Sequence, residues 1–308
     1  LGVVAGIVPW NFPIQLACGK IAPALITGNV IIIKPSPFTP YCDLKLVELA
    51  QQFFPPGVVQ ALSGDDSLGP QLTEHPGIDK ISFTGSTATG KKVMESASKT
   101  LKRITLELGG KDPAIVCKSV DIKEVAPKIA TLAFLNSGQI CLALKRIYIH
   151  ADIYNEFRDA MVEYTKTLQV GDGTTEGVFL GAYFRFPKST FPAFNHRSSF
   201  LPQIFSIRPS KISNPHIFSP KLPKPQMQCL FKFNLGPIQN NMQYTRVQTF
   251  FDDIESEGLI VAGGGRTKDS TGYFINPTII DNPSENSRLV QEEPFGMYPY
   301  FKRKGTNC

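Results

Sequence analysis

Short runs of Val, Ile and Leu punctuate the first part of the chain, separated by stretches whose apolar residues fall at helical spacing. Gly2–Val8 and Val30–Lys34 are β-branched runs suited to buried parallel strands. Val58–Leu62, Ile78–Phe83, Arg103–Leu108 and Ala114–Cys117 read as further strands. Between them, Asp43–Phe53 carries Leu44, Leu46, Val47 and Ala50 in a helical pattern. Ser86–Lys99 carries Val93, Met94 and Ala97 on one side, with Ser86 or Thr87 at its start. Strands alternating with helices in this way predict an α/β fold with a doubly wound parallel sheet.

The alternation continues. Asp121 and Glu124 stand three apart ahead of an apolar pattern, which predicts a capping box opening a helix to about Leu135. Ile147–His150 reads as a strand, and Asp152–Leu168 as an amphipathic helix with Ile153, Phe157, Ala160, Tyr164 and Leu168 in its stripe. Asn240–Glu257 reads as another helix, followed by a strand at Leu259–Ala262. The apolar stretch Leu1–Ile33 is interrupted by Pro9, Pro13, Lys20 and Pro23, so it does not read as a membrane span.

Positions 182–236 break the pattern. They hold eight prolines, nine phenylalanines and eight basic residues, with no Asp or Glu and neither period. We expect an insertion there without regular structure. Leu-Gly stands at both edges, at Leu180-Gly181 and Leu235-Gly236. Joining Gly181 to Pro237 restores a smooth reading, as though an untranslated stretch had been read through; a transcript lacking these codons would settle that origin. This segment also accounts for the net charge of +6. Without its eight bases, 24 Lys and Arg remain against 26 Asp and Glu, so the basic balance marks no nucleic-acid-binding face. The segment has no amphipathic period that would suit a membrane surface either.

The chain has 308 residues, enough for two domains. It begins with Leu inside an apolar run, which predicts a piece of a longer protein. Its six cysteines are scattered, with no C-x-x-C pair and no zinc-ligand spacing. That favours reduced thiols and a cytoplasmic setting, and no metal is expected.

Four features carry candidate chemistry. Cys141 follows a Gly-containing turn in "NSGQICLA"; it is a nucleophile or an inert buried thiol. Glu107 in "LELGG" is an acid within an apolar strand, a costly position unless it is paired or functional. Asn11 in "PWNFP" is fixed between two prolines. It is an oxyanion donor or a turn asparagine. "FTGSTATG" is a strand–Gly–helix junction that turns backbone N–H groups toward an anion.

Together these resemble the aldehyde dehydrogenase family. The motifs run in order: "PWNFP" at 9–13, "IIKPSPFTP" at 32–40, "FTGST" at 83–87, "LELGGKDP" at 106–113, "GQIC" at 138–141 and "EEPFG" at 292–296. The resemblance covers 1–181 and 237–296. It implies a Rossmann-like NAD(P)-binding domain over 1–109 and an α/β catalytic domain over 110–308, both incomplete. It further implies Cys141 as nucleophile, Glu107 as general base, and Asn11 with the Cys141 N–H as the oxyanion hole. Helix ends near Cys141 would help the thiol ionise. For NAD or NADP it implies Lys34 at the adenosine ribose, Ser86 at the pyrophosphate, and Glu293 and Phe295 at the nicotinamide ribose and ring, with Trp10 and Gly64 shaping the cleft. The expected activity is oxidation of an aldehyde to a carboxylic acid through a thiohemiacetal and a thioester. A CoA-acylating enzyme and a catalytically inactive fragment are the alternatives, and family members are commonly homo-oligomers. Pro37 stands where many NAD-preferring members carry glutamate, which leaves NAD against NADP open. After "EEPFG" the stretch from Met297 matches nothing in the pattern, so a frame change or second read-through is expected there.

Overall fold

The computed structural model describes residues 2–172, 234–267 and 272–305. Two five-stranded sheets organise them.

The first sheet contains β1 (Val3–Ile7), β2 (Val30–Lys34), β3 (Val59–Ala61), β4 (Lys80–Gly85) and β5 (Arg103–Leu108), in the order β3-β2-β1-β4-β5. All its pairings are parallel. Period-two alternation sends β1 side chains to two different cores. Val4, with Val8 just past the strand end, packs with Ala17 and Ala24 of α1 (Pro13–Ile26) and Val47 of α2 (Pro40–Ala50). Ala5 and Ile7 pack on the other face with Leu72 of α3 (Leu68–Glu74) and with Val93 and Ala97 of α4 (Thr87–Ser98). Helices on both faces make the sheet doubly wound, as the alternation predicts.

The second sheet has the order β10-β11-β12-β7-β6. Its members are β6 (Asp112–Val116), β7 (Leu144–His150), β10 (Ile260–Gly263), β11 (Ile279–Asp281) and β12 (Tyr300–Lys304). Only β10 runs antiparallel to its neighbour. Its core takes Phe134 of α5 (Ile122–Phe134), Phe157 and Met161 of α6 (Tyr154–Lys166), and Val247 and Phe250 of α7 (Asn241–Ser256). A two-stranded parallel ladder joins β8 (Gln169–Val170) to β9 (Asn234–Leu235), and a short α8 (Arg288–Gln291) precedes the last strand.

Several expectations change. The stretch from Met297 belongs to the fold: Met297, Tyr298, Tyr300 and Phe301 are fully buried, and β12 is hydrogen-bonded to β11 and β7. Nothing between Met297 and Phe301 is charged, so the segment can fill a central strand position whatever its motif. The expected insertion ends too late, because Leu235 is buried and the Ser137 hydroxyl donates to the Gly236 carbonyl at 2.7 Å. The rest of that insertion, 182–233, lies outside the described residues. The expected capping box is only half made. Asp121 accepts from the Lys123 N–H at 3.0 Å, while Glu124 pairs with Lys128.

Asp43 is fully buried on α2, and neither carboxylate oxygen has a hydrogen-bond partner among the described residues. Burial raises its pKa to about 6. Its unfolded value is lower, so the native state binds the extra proton, and stability falls as pH rises from about 4 through 6. Asp43→Asn should raise the melting temperature at pH 7.5 and flatten its pH dependence over that window. Thermal melts of the two proteins from pH 4 to 8 check this.

Candidate active site

The strand order of the first sheet reverses between β1 and β4, and the loops leaving their C-terminal ends diverge there. In open α/β sheets that divergence creates a crevice. The β1 loop carries Trp10 and Asn11 before Pro13 starts α1. β2 ends on Lys34, and β3 leads to the exposed Gly64. β4 ends on Gly85, and Ser86 caps α4 by accepting from the Thr89 N–H at 3.2 Å. Glu107 lies opposite Thr84 on β5.

The Lys34 ammonium is buried and donates to the Pro35 carbonyl at 3.2 Å. Burial lowers its pKa, and the carboxylates of Asp66 and Asp65 act in the opposite direction.

Cys141 follows a turn of unusual backbone. Asn136, Ser137 and Gly138 all have positive φ, at 53°, 57° and 71°. For Asn136 and Ser137 this costs about 1–2 kcal/mol each. The turn is tied to the β1 loop: the Asn11 amide donates to the Gln139 carbonyl at 3.0 Å, two residues before Cys141. The Oδ1 of the same Asn11 side chain is buried without a partner among the described residues. The Gln139 side chain in turn accepts the Gln239 N–H at 2.9 Å.

The Cys141 thiol is half-buried, and burial is the main cause of its raised pKa. The carboxylates of Glu107 and Glu293 push it further up. The N–H groups of Leu142 and of Cys141 itself oppose them. The expected easing of ionisation is therefore reversed, because desolvation and two acids outweigh the backbone donors. Glu107 is corrected too: it is exposed. β5 is an edge strand, and Arg103, Thr105 and Glu107 share its outward side.

Glu293 reaches into the same place. Its carboxylate accepts the Gly110 N–H, and a Cβ on Gly109 would lie 1.9 Å from its Oε2. Any side chain at 109 would displace it. Burial raises the Glu293 pKa to about 7, against the pull of Lys145, Arg246 and Lys111. The next aromatic, Phe295, has φ of 49° and meets Trp10 edge to face, with ring centroids 5.4 Å apart. Asn11, Glu107, Cys141 and Glu293 thus converge, with Trp10 and Phe295 beside them. Lys34, Gly64 and Ser86 lie along the sheet edge at other loop ends.

Lys20 was not singled out by sequence. Its ammonium donates to Thr84 at 2.8 Å and Ser82 at 3.2 Å. Burial lowers its pKa to about 8, and Glu107 acts against that shift. The signal was available: Lys20 is the one charged residue in an otherwise uncharged helix, PIQLACGKIAPALI. Among the described residues no cluster of His, Cys, Asp or Glu could hold a metal, and no helix is long and apolar enough to cross a membrane.

The sequence model of the aldehyde dehydrogenase family matches residues 1–188 and 226–297. Aldehyde dehydrogenase LUC3 of Fusarium sp is 42% identical over 298 residues, which is 96% of this chain and 50% of that protein. The chloroplastic betaine aldehyde dehydrogenase of Amaranthus hypochondriacus is 34% identical over 303 residues, 96% of this chain and 49% of that one. The chain thus spans about half the length of the relatives it matches. Among solved structures, aldehyde dehydrogenase C of Pseudomonas syringae, in a mutant form with NAD+ and octanal, superposes with a TM-score of 0.77 at 28% identity. That match covers 99% of this chain and 53% of the other. The betaine aldehyde dehydrogenase of Staphylococcus aureus with NAD+ gives the same TM-score and identity, over 99% and 51%.

Proposed function

The chain belongs to the aldehyde dehydrogenase family, and from that premise we propose that it takes part in the NAD(P)-dependent oxidation of an aldehyde to a carboxylic acid, with Cys141 as nucleophile. One observation carries the reading. The Asn11 amide is bonded to the Cys141 turn at Gln139, while Glu107 and Glu293 both act on the thiol.

The residues present fit a dinucleotide. The crevice between β1 and β4 lies at the reversal of strand order. The Lys34 ammonium makes one hydrogen bond and can make more, which suits ribose hydroxyls. The first turn of α4 behind Ser86 offers N–H groups to a pyrophosphate. Glu293, Phe295, Trp10 and Gly64 would complete the binding edge. Two structural neighbours were solved with NAD+. In this reading residues 1–109 form the cofactor domain and 110–308 the catalytic one.

The Cys141 thiolate attacks the aldehyde carbon, forming a C–S bond and leaving negative charge on the former carbonyl oxygen. Asn11 has two amide protons. One is given to Gln139, and the other is available to that oxygen together with the Cys141 N–H. A nicotinamide held at this edge by Glu293 and Phe295 would supply the hydride acceptor. Oxidation leaves a thioester on the sulfur. Glu107, open to solvent, takes a proton from water as the water attacks the thioester. The C–S bond then breaks, the acid departs and the thiol is restored. Lys20 is the positioning residue behind Glu107, its ammonium held by Ser82 and Thr84. A water-activating base beside the thiol favours hydrolysis over transfer to CoA.

Incubating the purified chain with NAD+ or NADP+ and a short aldehyde tests the proposal. The expected result is aldehyde-dependent absorbance of reduced cofactor with matching carboxylic acid. Reduced cofactor without acid, or acyl-CoA as the sole product when CoA is added, would contradict it.

A further inference from the structure

Lys145 has no place in the mechanism above, yet it is the one lysine in the core of the second sheet that lies beside the Cys141 turn. It sits on β7, four residues after Cys141, and is 2% exposed. Its ammonium donates to the Ala133 carbonyl at 2.9 Å and to the Gly296 carbonyl at 2.5 Å. Ala133 lies in the last turn of α5, immediately before the left-handed turn. Gly296 immediately follows Phe295. The turn lies against this bridge: a Cβ on Gly138 would be 2.5 Å from the Lys145 Nζ and 2.2 Å from the Gly296 oxygen.

We propose that Lys145 is a positioning residue for the reaction, clamping the turn that presents Cys141 to the loop that presents Phe295. The proposal rests on the functional reading above. A buried ammonium is destabilising unless its protons are taken up, and here two of them serve carbonyls on two separate segments, each adjoining residues of positive φ. One of those carbonyls belongs to a helix C-terminus, where a cation is favoured and the last carbonyls lack partners. The turn at 136–138 and Phe295 all have positive φ. Such backbone persists only where its surroundings hold it. The Gln243 amide secures the same loop from the far side, donating to the carbonyls of Pro294 and Phe295, each at 3.0 Å. Lys145 is the element that couples loop and turn. Burial brings its pKa down to about 7, with Lys111 acting the same way and Glu293 against it. The neutral amine would still carry donors for both carbonyls.

Trp10 is the chain's only tryptophan, and it touches Phe295, so its fluorescence reports the loop directly. The test compares the parent with Lys145→Met in acrylamide quenching without cofactor, and in titration with NAD+. The variant is expected to quench more readily and to bind NAD+ about tenfold more weakly, the loss of one charge-assisted hydrogen bond, with the aldehyde KM little changed. A general loss of packing would not single out cofactor affinity. A folded Lys145→Met that matches the parent in both readouts overturns the proposal, whatever its melting temperature. If Lys145→Met does not fold, Gly138→Ala pushes on the same bridge from the turn; the same shift in quenching supports the clamp, and its absence overturns it. A parent that fails to bind NAD+ would count against the cofactor reading, while quenching without cofactor would still decide the clamp.

Discussion

Replacing Cys141 with alanine should lower the rate of aldehyde oxidation by at least about 10⁴-fold, the scale seen when a covalent nucleophile is removed from a preformed site. Dinucleotide affinity should change by no more than a small factor. The thiol sits between the Asn11 tether and two carboxylates, whereas Lys34 and Ser86 end other strands of the first sheet. Removing the sulfur takes away the atom proposed to bond the substrate and leaves that sheet edge intact. Steady-state rates and NAD+ titration of Trp10 fluorescence give the two numbers. Equal loss of both would mean that the variant is misfolded or that the sulfur supports the cofactor site. Among the described residues the other cysteines, Cys18, Cys42 and Cys117, are exposed, on α1, on α2 and just after β6.

Glu107→Gln should separate the two halves of the reaction. The amide keeps the shape of the side chain and cannot take a proton from water. General-base catalysis is worth about 10²–10⁴-fold, so turnover should fall by that amount. The first half does not need the base in this account, so a burst of reduced cofactor approaching one per chain should precede the slow phase. Removing the carboxylate also removes one of the groups that push the Cys141 pKa up. The thiolate should therefore form at lower pH in the variant, and the burst should extend to lower pH than in the parent. Stopped-flow absorbance across a pH series checks both. Slow turnover without a burst would place Glu107 before hydride loss instead of after it.

Much of the fold was legible because it rests on local pattern. Val30–Lys34 is a continuous β-branched run, and β2 has those bounds. Asn240 caps α7 where an Asn ahead of an apolar stripe predicts it. The failures share one physical cause, dependence on partners far along the chain. Whether β5 is central or at an edge depends on how many strands flank it. Glu107 therefore read as buried and is exposed. β12 is a strand because β11 and β7 pair with it, and the Pro299 before it and its own Lys302 give little sign of that. Asn136 and Ser137 are ordinary loop residues by type, and only the tethers around them hold positive φ. Lys145 matters only through its two carbonyl partners, which lie on segments remote in sequence from each other. The motif residues were visible individually. Their convergence, and the roles of Lys20 and Gln139 in it, required the backbone.

The most direct measurement is intact-protein and peptide mass spectrometry of Glu107→Gln, quenched in acid after mixing with NAD(P)+ and a short aldehyde. One acyl group per chain is expected on the peptide that contains Cys141, at a level matching the burst of reduced cofactor. Reduced cofactor with no acyl group on Cys141, or with the group on another cysteine, would contradict it.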